Sequence, residues 1–279
     1  MKKLVLLSFA NSIYAQSLER IKTETECFPF TERYFYTELD FPEEFRKELH
    51  NKKYRRGYGY WRWKSYLVKK TLNSLNDNDI IIWTDAGNFW NIKGKKRFEE
   101  YLNFVEKIES GIVVFEQPFL EKDYTKGDLL EYLDVYKSDE IVMSLQLWGG
   151  CFILRKTPCS IAFVEEWEAV HSNCYDLITD KKSNISNLNG FIEHRHDQSS
   201  FSVIVKKYVH LAIPYNEVYD IRSGWENMSA FPIQGKRLRH KDRTLWKKIK
   251  EYLLLPYRCL LGLYLIIFEN MYFKNKFWY

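Results

Sequence analysis

The sequence contains no CxxC pair, and its five cysteines (Cys27, Cys151, Cys159, Cys174 and Cys259) are scattered and odd in number. That excludes a disulfide framework and a cysteine-based zinc site, and it suits a reducing cytoplasm. No internal repeat and no low-complexity linker interrupts the 279 residues. The chain also lacks the roughly 20 clean apolar residues that a spanning helix needs. The most apolar stretch, Leu253 to Phe268, is broken by Pro256, Arg258 and Gly262.

What the chain does have is a core and an excess of rings. Hydrophobic residues make up 46% and charged residues 28%, which excludes a disordered chain. Aromatic residues reach 17%, with 9 Trp, 20 Tyr and 19 Phe. Such rings fill cores, and they also serve as platforms for sugar rings and nucleobases. The net charge of +5 is local: between Lys236 and Lys250 stand eight basic residues and one acid, a net +7, so the rest sums to −2. A single patch argues against a general nucleic-acid binder.

Met1-Lys2-Lys3 followed by Leu4 to Leu7 has the look of a secretory signal, but Asn11 and Ser12 break the apolar run early. We read Lys3 to Phe9 instead as a first β-strand, with Ser8 to Ser12 as its exit loop. Further strands are expected at Phe35–Leu39, Asp79–Trp83, Gly111–Phe115, Cys151–Arg155 and Val209–Ile213. Helices are expected over 42–50, Lys64–Leu75, 95–109, Lys126–Tyr136, Ser160–His171 and Asp197–Tyr208, with a polar loop over 172–195. Strands alternating with helices predict an α/β fold, a single Rossmann-like domain with a mostly parallel central sheet. Residues 1–232 would form it, and 233–279 would be a C-terminal helical extension. The basic patch leading into Leu253–Phe268 reads as a segment that docks on anionic lipid, which would place the protein on the inner face of the cell membrane.

Asp85 follows the buried run Ile80 to Trp83, at the carboxyl end of a central strand where open α/β sheets bind ligands. Gly87 allows a sharp turn or a close approach there. Asp85 could equally cap the next helix. Lys64 opens a helix behind a stretch that mixes Arg55, Arg56 and Arg62 with Tyr58, Tyr60, Trp61 and Trp63, so Lys64 and Arg62 are candidates to pair with phosphate. Gln146-Leu147-Trp148-Gly149-Gly150 precedes a strand, which suggests a backbone hugging a ligand. Asp197 reads either as a helix N-cap or as a general base, Gln198 as a sugar-binding amide, and Asp128 as a second base.

Four blocks carry a resemblance. They are Tyr58 to Lys64, Ile82 to Gly87, Gly149 to Arg155 and His194 to Ser199. Together, over residues 1–215, they look like bacterial nucleotide-diphospho-sugar transferases of the GT-A superfamily, of the kind found in capsule and lipopolysaccharide gene clusters. The resemblance implies a nucleotide-sugar donor, a divalent metal (Mn²⁺ or Mg²⁺), a glycan or lipid-linked acceptor, and no nucleic acid. It places Asp85, followed by Ala86 and Gly87, at the family's Asp-x-Asp motif, and Gln146 to Gly150, with Gly149 and Gly150, by the donor sugar and acceptor; Lys64, Arg62 and Gln198 join them as candidate donor contacts on the reading of the residues above. This sequence departs from the motif, because Gly87 stands where the second acid belongs. Asn88 or His240 would have to serve as a second ligand beside Asp85. Two rivals remain: a non-catalytic sugar-binding relative, which the missing acid favours, and a nucleotidyltransferase. Ser8 to Ser12 lacks the Gly-rich phosphate loop that would support the latter.

Overall fold

The computed structural model describes residues 2–51, 56–219 and 228–236. Its centre is a six-stranded sheet of β1 (Leu4–Phe9), β2 (Glu32–Tyr36), β3 (Ile80–Thr84), β5 (Ile112–Leu120), β6 (Leu145–Arg155) and β7 (Leu211–Ile213). Their order across the sheet is β2-β1-β3-β6-β5-β7. Two short strands, β4 (Phe89–Trp90) and β8 (Ile233–Gln234), pair as a separate antiparallel ribbon. In the main sheet only β6 runs against the others; β1, β2, β3, β5 and β7 are mutually parallel. This is the mostly parallel, Rossmann-like α/β architecture that the alternating pattern predicts.

The continuous apolar strands are central because both of their faces are covered. Val5, Leu7, Ile81, Trp83, Phe152 and Leu154 face one hydrophobic cluster; Leu6, Ile82, Cys151 and Ile153 face a second one across the sheet. The first is closed by α4 (Trp63–Ser74), α9 (Pro158–Asn173) and α10 (Asp197–Val205), the second by α1 (Ala15–Glu24) and α5 (Lys95–Lys107). The smaller helices are α2 (Glu43–Leu49), α3 (Gly57–Tyr60), α6 (Glu121–Tyr124), α7 (Gly127–Tyr132) and α8 (Asp139–Val142). α9 begins where Thr157 and Ser160 cap each other and Pro158 occupies the first turn.

The first strand is buried and paired on both sides. Several boundaries differ from the sequence reading; β5 runs on to Leu120 and α10 stops at Val205. β2 ends at Tyr36, not Leu39, because Thr37 and Asp40 form a capping box that starts the next turn. β6 starts at Leu145, six residues early, because Leu145 and Leu147 pair with the bulged end of β5. α7 stops at Tyr132, and Asp134 beyond it takes a positive φ of 57°. The expected division after residue 232 falls beside β8, whose Ile233 and Gln234 pair with Trp90 and Phe89. His240 and the expected membrane-docking segment lie outside the described residues. Among those described, no helix is long and apolar enough to cross a membrane.

Candidate functional site

α4 runs into β3 and α10 runs towards β7. The first turns of both helices therefore sit at the carboxyl edge of the parallel strands. Asp85 leaves β3 at that same edge. Thr84 pairs with Cys151, and the Asp85 amide donates to the Gly150 carbonyl at 2.9 Å, which brings the double glycine of β6 alongside.

The Lys64 ammonium joins these pieces. Nζ donates to Asp197 Oδ2 at 2.7 Å and to the Gly149 carbonyl at 2.9 Å, and it lies 3.2 Å from Asp85 Oδ1. Lys64 is 2% exposed, whereas the Asp85 side chain is 38% exposed, so Asp85 is the member of the group that meets solvent. Asp85 is aimed by the Trp83 indole, whose Nε1 donates to Oδ1 at 2.9 Å. Burial works to lower the Lys64 pKa, but Asp197 and Asp85 more than offset it and hold it above the ordinary lysine value. Burial raises Asp197 to about 6, against the opposing pull of Lys64. A carboxylate with that pKa can take up a proton near neutrality.

Strained backbone leads into both members of the buried pair. Gly57, Tyr58, Gly59, Tyr60 and Trp61 all have positive φ, forming a left-handed turn closed by Tyr60 N to Arg56 O at 2.7 Å. A Cβ at Gly57 would stand 2.3 Å from the Trp61 indole. Three residues on comes Lys64. His196, with φ 55°, immediately precedes Asp197. Its ring stacks on Trp61 at 5.6 Å, and its Nδ1 is 2.8 Å from the Ile178 carbonyl. Non-glycine residues at positive φ persist where surrounding structure enforces them, often beside functional groups.

Gln198 Nε2 donates to Gln146 Oε1 at 2.9 Å, and Gln198 Cα would lie 3.5 Å from a Cβ on Gly149. Gly150 is needed for a different reason: its missing Cβ leaves room for the Trp148 indole, which would otherwise be 2.4 Å away. Trp148 itself is packed into the core. Ala86 packs on Ala10 and Leu18, and its carbonyl accepts from Arg20 at 2.8 Å; Gly87 follows in the same turn. Asn88 is buried and spends its amide nitrogen on Thr84 Oγ1 and the Gly150 carbonyl, bracing the turn.

The structure thus brings together Lys64, Asp85, Gly149, Gly150, Asp197, Gln198 and Gln146. It does not bring Arg62 or Asp128 to them. Arg62 is held by Glu48 at 2.8 Å and lies over the rings of Phe45 and Tyr175. Asp128 accepts from the amides of Asn184 and Ile185, at 2.9 and 2.8 Å, and pins that loop. Burial works against its charge, but these amides hold its pKa below the ordinary carboxylate range.

The carboxylates and histidines near the site bear on a divalent metal. Among the described residues, no three of His, Cys, Asp and Glu gather as a metal site requires. The two carboxylates that do converge share the Lys64 ammonium between them, so a divalent ion would have to displace a resident cation. These residues do not fit a metal as they stand.

Two features had no counterpart in the sequence reading. His171 lies buried between Ser65 Oγ (2.9 Å) and Ser200 Oγ (2.8 Å), and burial drives its pKa down to about 3. It ties the first turns of α4 and α10 together behind the Lys64–Asp197 pair. Glu121, fully buried, accepts from Thr125, Gln146, Ser202 and Lys206. Neither residue sits in a sequence pattern that separates it from an ordinary helix-face His or Glu.

No protein-family profile matches the sequence, and no curated protein matches it. Among solved structures, similarity extends to a glycosyltransferase involved in glycosylation of the major capsid of PBCV-1, at 9% identity and a TM-score of 0.47, over 90% of this chain and 99% of that one. Mouse xyloside xylosyltransferase 1 gives 12% identity and 0.43, over 78% and 86%. The galactosyltransferase LgtC, in complex with donor and acceptor sugar analogs, gives 10% identity and 0.44, over 90% and 94%. Likeness at this level establishes neither family nor activity.

Proposed function

We propose that the chain is a glycosyltransferase that moves a sugar from a nucleoside-diphosphate donor to a hydroxyl of a surface polysaccharide or lipid-linked glycan. The observation that carries this reading is the meeting of four distant sequence blocks at one amine. Lys64, Asp85, Gly149 and Asp197 each come from a different block of the transferase-like pattern, and all converge on Lys64 Nζ.

In this reading the donor lies across the exposed edge formed by Asp85 and the Gly149-Gly150 backbone. The acceptor hydroxyl attacks the anomeric carbon, the bond from that carbon to the diphosphate oxygen breaks, and the nucleoside diphosphate leaves. Asp197 takes the hydroxyl proton. Lys64 keeps Asp197 in place and balances the carboxylates as charge moves. The basic patch and Leu253–Phe268 of the 233–279 tail would dock the enzyme on the inner membrane surface, near a lipid-linked acceptor.

The test is a thermal-shift screen of the full chain against UDP-, GDP-, CMP- and ADP-linked sugars and against nucleoside triphosphates, with Asp85→Ala as control. A ligand that binds the native state raises the melting temperature by mass action. A shift with one nucleotide class, lost in Asp85→Ala, supports the donor site. No shift with any nucleotide moves the reading to a non-catalytic sugar-binding protein. A shift with a nucleoside triphosphate in place of a sugar nucleotide moves it to a nucleotidyltransferase.

A further inference from the structure

Behind the site lies a chain of polar groups whose polarity runs in one direction. It starts at the carboxylate of Glu121, at the junction of β5 and α6, which no solvent reaches. A carboxylate only accepts hydrogen bonds. Thr125 Oγ1 donates to its Oε1 at 2.5 Å, and Gln146 Nε2 donates to the same oxygen at 3.0 Å. Ser202 Oγ and the Lys206 ammonium, the latter at 2.6 Å, donate to Oε2. Ser202 Oγ also accepts from the Leu147 amide at 2.8 Å, while its own proton goes to Glu121.

Gln146 is thereby oriented. Its amide nitrogen must face Glu121, and it also reaches Thr125 Oγ1 at 3.4 Å. Its carbonyl oxygen is left to face the other way, where it accepts from Gln198 Nε2 at 2.9 Å. That in turn spends the nitrogen end of Gln198. The Gln198 carbonyl oxygen has no donor among the described residues and is not sealed from solvent. Gln198 follows Asp197 in sequence, and its Cα and Cβ lie against Gly149.

We propose that Glu121, acting through Gln146, is a positioning residue that fixes which end of the Gln198 amide faces the site, so that this position presents an acceptor to a sugar hydroxyl. An amide that could turn over would present its NH₂ as readily as its oxygen. Glu121 removes that choice from two residues away, by offering nothing but acceptors. Recognition of a hydroxyl rests on the glycosyltransferase reading; the polarity of the relay does not.

Two measurements separate those parts. In the full chain labelled with ¹⁵N-glutamine, the Gln198 side-chain signal is identified by its loss in Gln198→Met. The wild-type Gln198 amide protons exchange slowly with solvent. In Gln146→Met, an isosteric change that leaves Glu121 its other donors, they exchange at the solvent-exposed rate. In Glu121→Gln the signal shifts or doubles, because a glutamine at 121 can donate and lets Gln146 turn over. If Glu121→Gln fails to fold, Glu121→Gln/Lys206→Met removes the ion pair without stranding the ammonium and makes the same test. Fast exchange in the wild type, or a Gln198 signal unmoved by the Glu121 change, overturns the proposal.

The second measurement compares dissociation constants of UDP-glucose, GDP-mannose and ADP-glucose with those of UDP, GDP and ADP. In Gln146→Met the free diphosphate that binds keeps its affinity, while its sugar nucleotide weakens by roughly five-fold, the scale of one neutral hydrogen bond. Equal weakening of both overturns hydroxyl recognition. If no nucleotide binds the wild type, the glycosyltransferase reading fails, and the exchange measurement still decides the relay.

Discussion

The Lys64 ammonium lies 2.7 Å from Asp197 Oδ2, and both side chains are buried. A buried ion pair costs most when half of it is removed, because the survivor is left charged without a partner. Lys64→Met is therefore expected to destabilise the fold by about 3 kcal/mol. Lys64→Met/Asp197→Asn should recover part of that loss. Urea unfolding of the two variants checks both statements; a double variant no more stable than the single one would show that the pair is not coupled.

Asp197 gives the site a pH dependence. Burial raises its pKa to about 6, so a base at this position is protonated and inactive below that pH. kcat/KM should rise through pH 6 and then level off, with Asp197→Asn lowering the plateau. A profile with no inflection between pH 5 and pH 7 would exclude Asp197 as the base.

His171 acts on stability instead. Its folded pKa is lowered from 6.5 to about 3, so the unfolded chain binds the proton more readily. The stability that His171 contributes is fully present above pH 6.5 and is lost as pH falls towards 3. Asp197 opposes this trend, because its raised pKa favours the folded state at low pH. The difference between wild type and His171→Leu isolates the histidine. The variant should lose less stability than the wild type between pH 6.5 and pH 4, read from denaturant midpoints.

Gly150 lies against the Trp148 indole, and a Cβ there would approach it to 2.4 Å. The indole is packed into the core and has little room to yield. Gly150→Ala should cost about 1–3 kcal/mol, the usual range for overpacking. Gly149→Ala, whose Cβ would stand 3.5 Å from Gln198, should be much milder. Melting temperatures of the two variants make the comparison.

Because Lys64 occupies the space between the two carboxylates, nucleotide-sugar binding should survive dialysis against EDTA. Titration calorimetry with and without Mn²⁺ tests this. A dissociation constant that weakens more than ten-fold on metal removal would show that an ion joins Asp85 after all.

Much of the architecture was legible in the sequence because its signals are local. Ile80 to Trp83 reads as a central strand, and Leu67, Val68 and Leu72 mark the buried face of α4. Lys64, Asp85 and Asp197 could each be singled out by their position at an element end. Their mutual contact could not, since it depends on two left-handed backbone segments leaning on each other through Trp61 and His196. Arg62 shows the opposite case. Its neighbours in sequence suggest a phosphate ligand, while its neighbours in space, Glu48, Phe45 and Tyr175, already hold it. Glu121 was invisible because a buried acid and an exposed one read alike until four donors are seen to surround it.

The most direct test is nucleotide release from UDP-, GDP- and ADP-linked sugars by the purified full chain, by Asp197→Asn and by Asp128→Asn. Release from one donor class is expected in the wild type, falling about 100-fold or more in Asp197→Asn, as loss of a general base does. Asp128→Asn, whose side chain pins the 183–185 loop, should keep the wild-type rate wherever it remains folded. Release by Asp197→Asn at the wild-type rate would contradict the central claim that chemistry is organised around the Lys64–Asp197 pair.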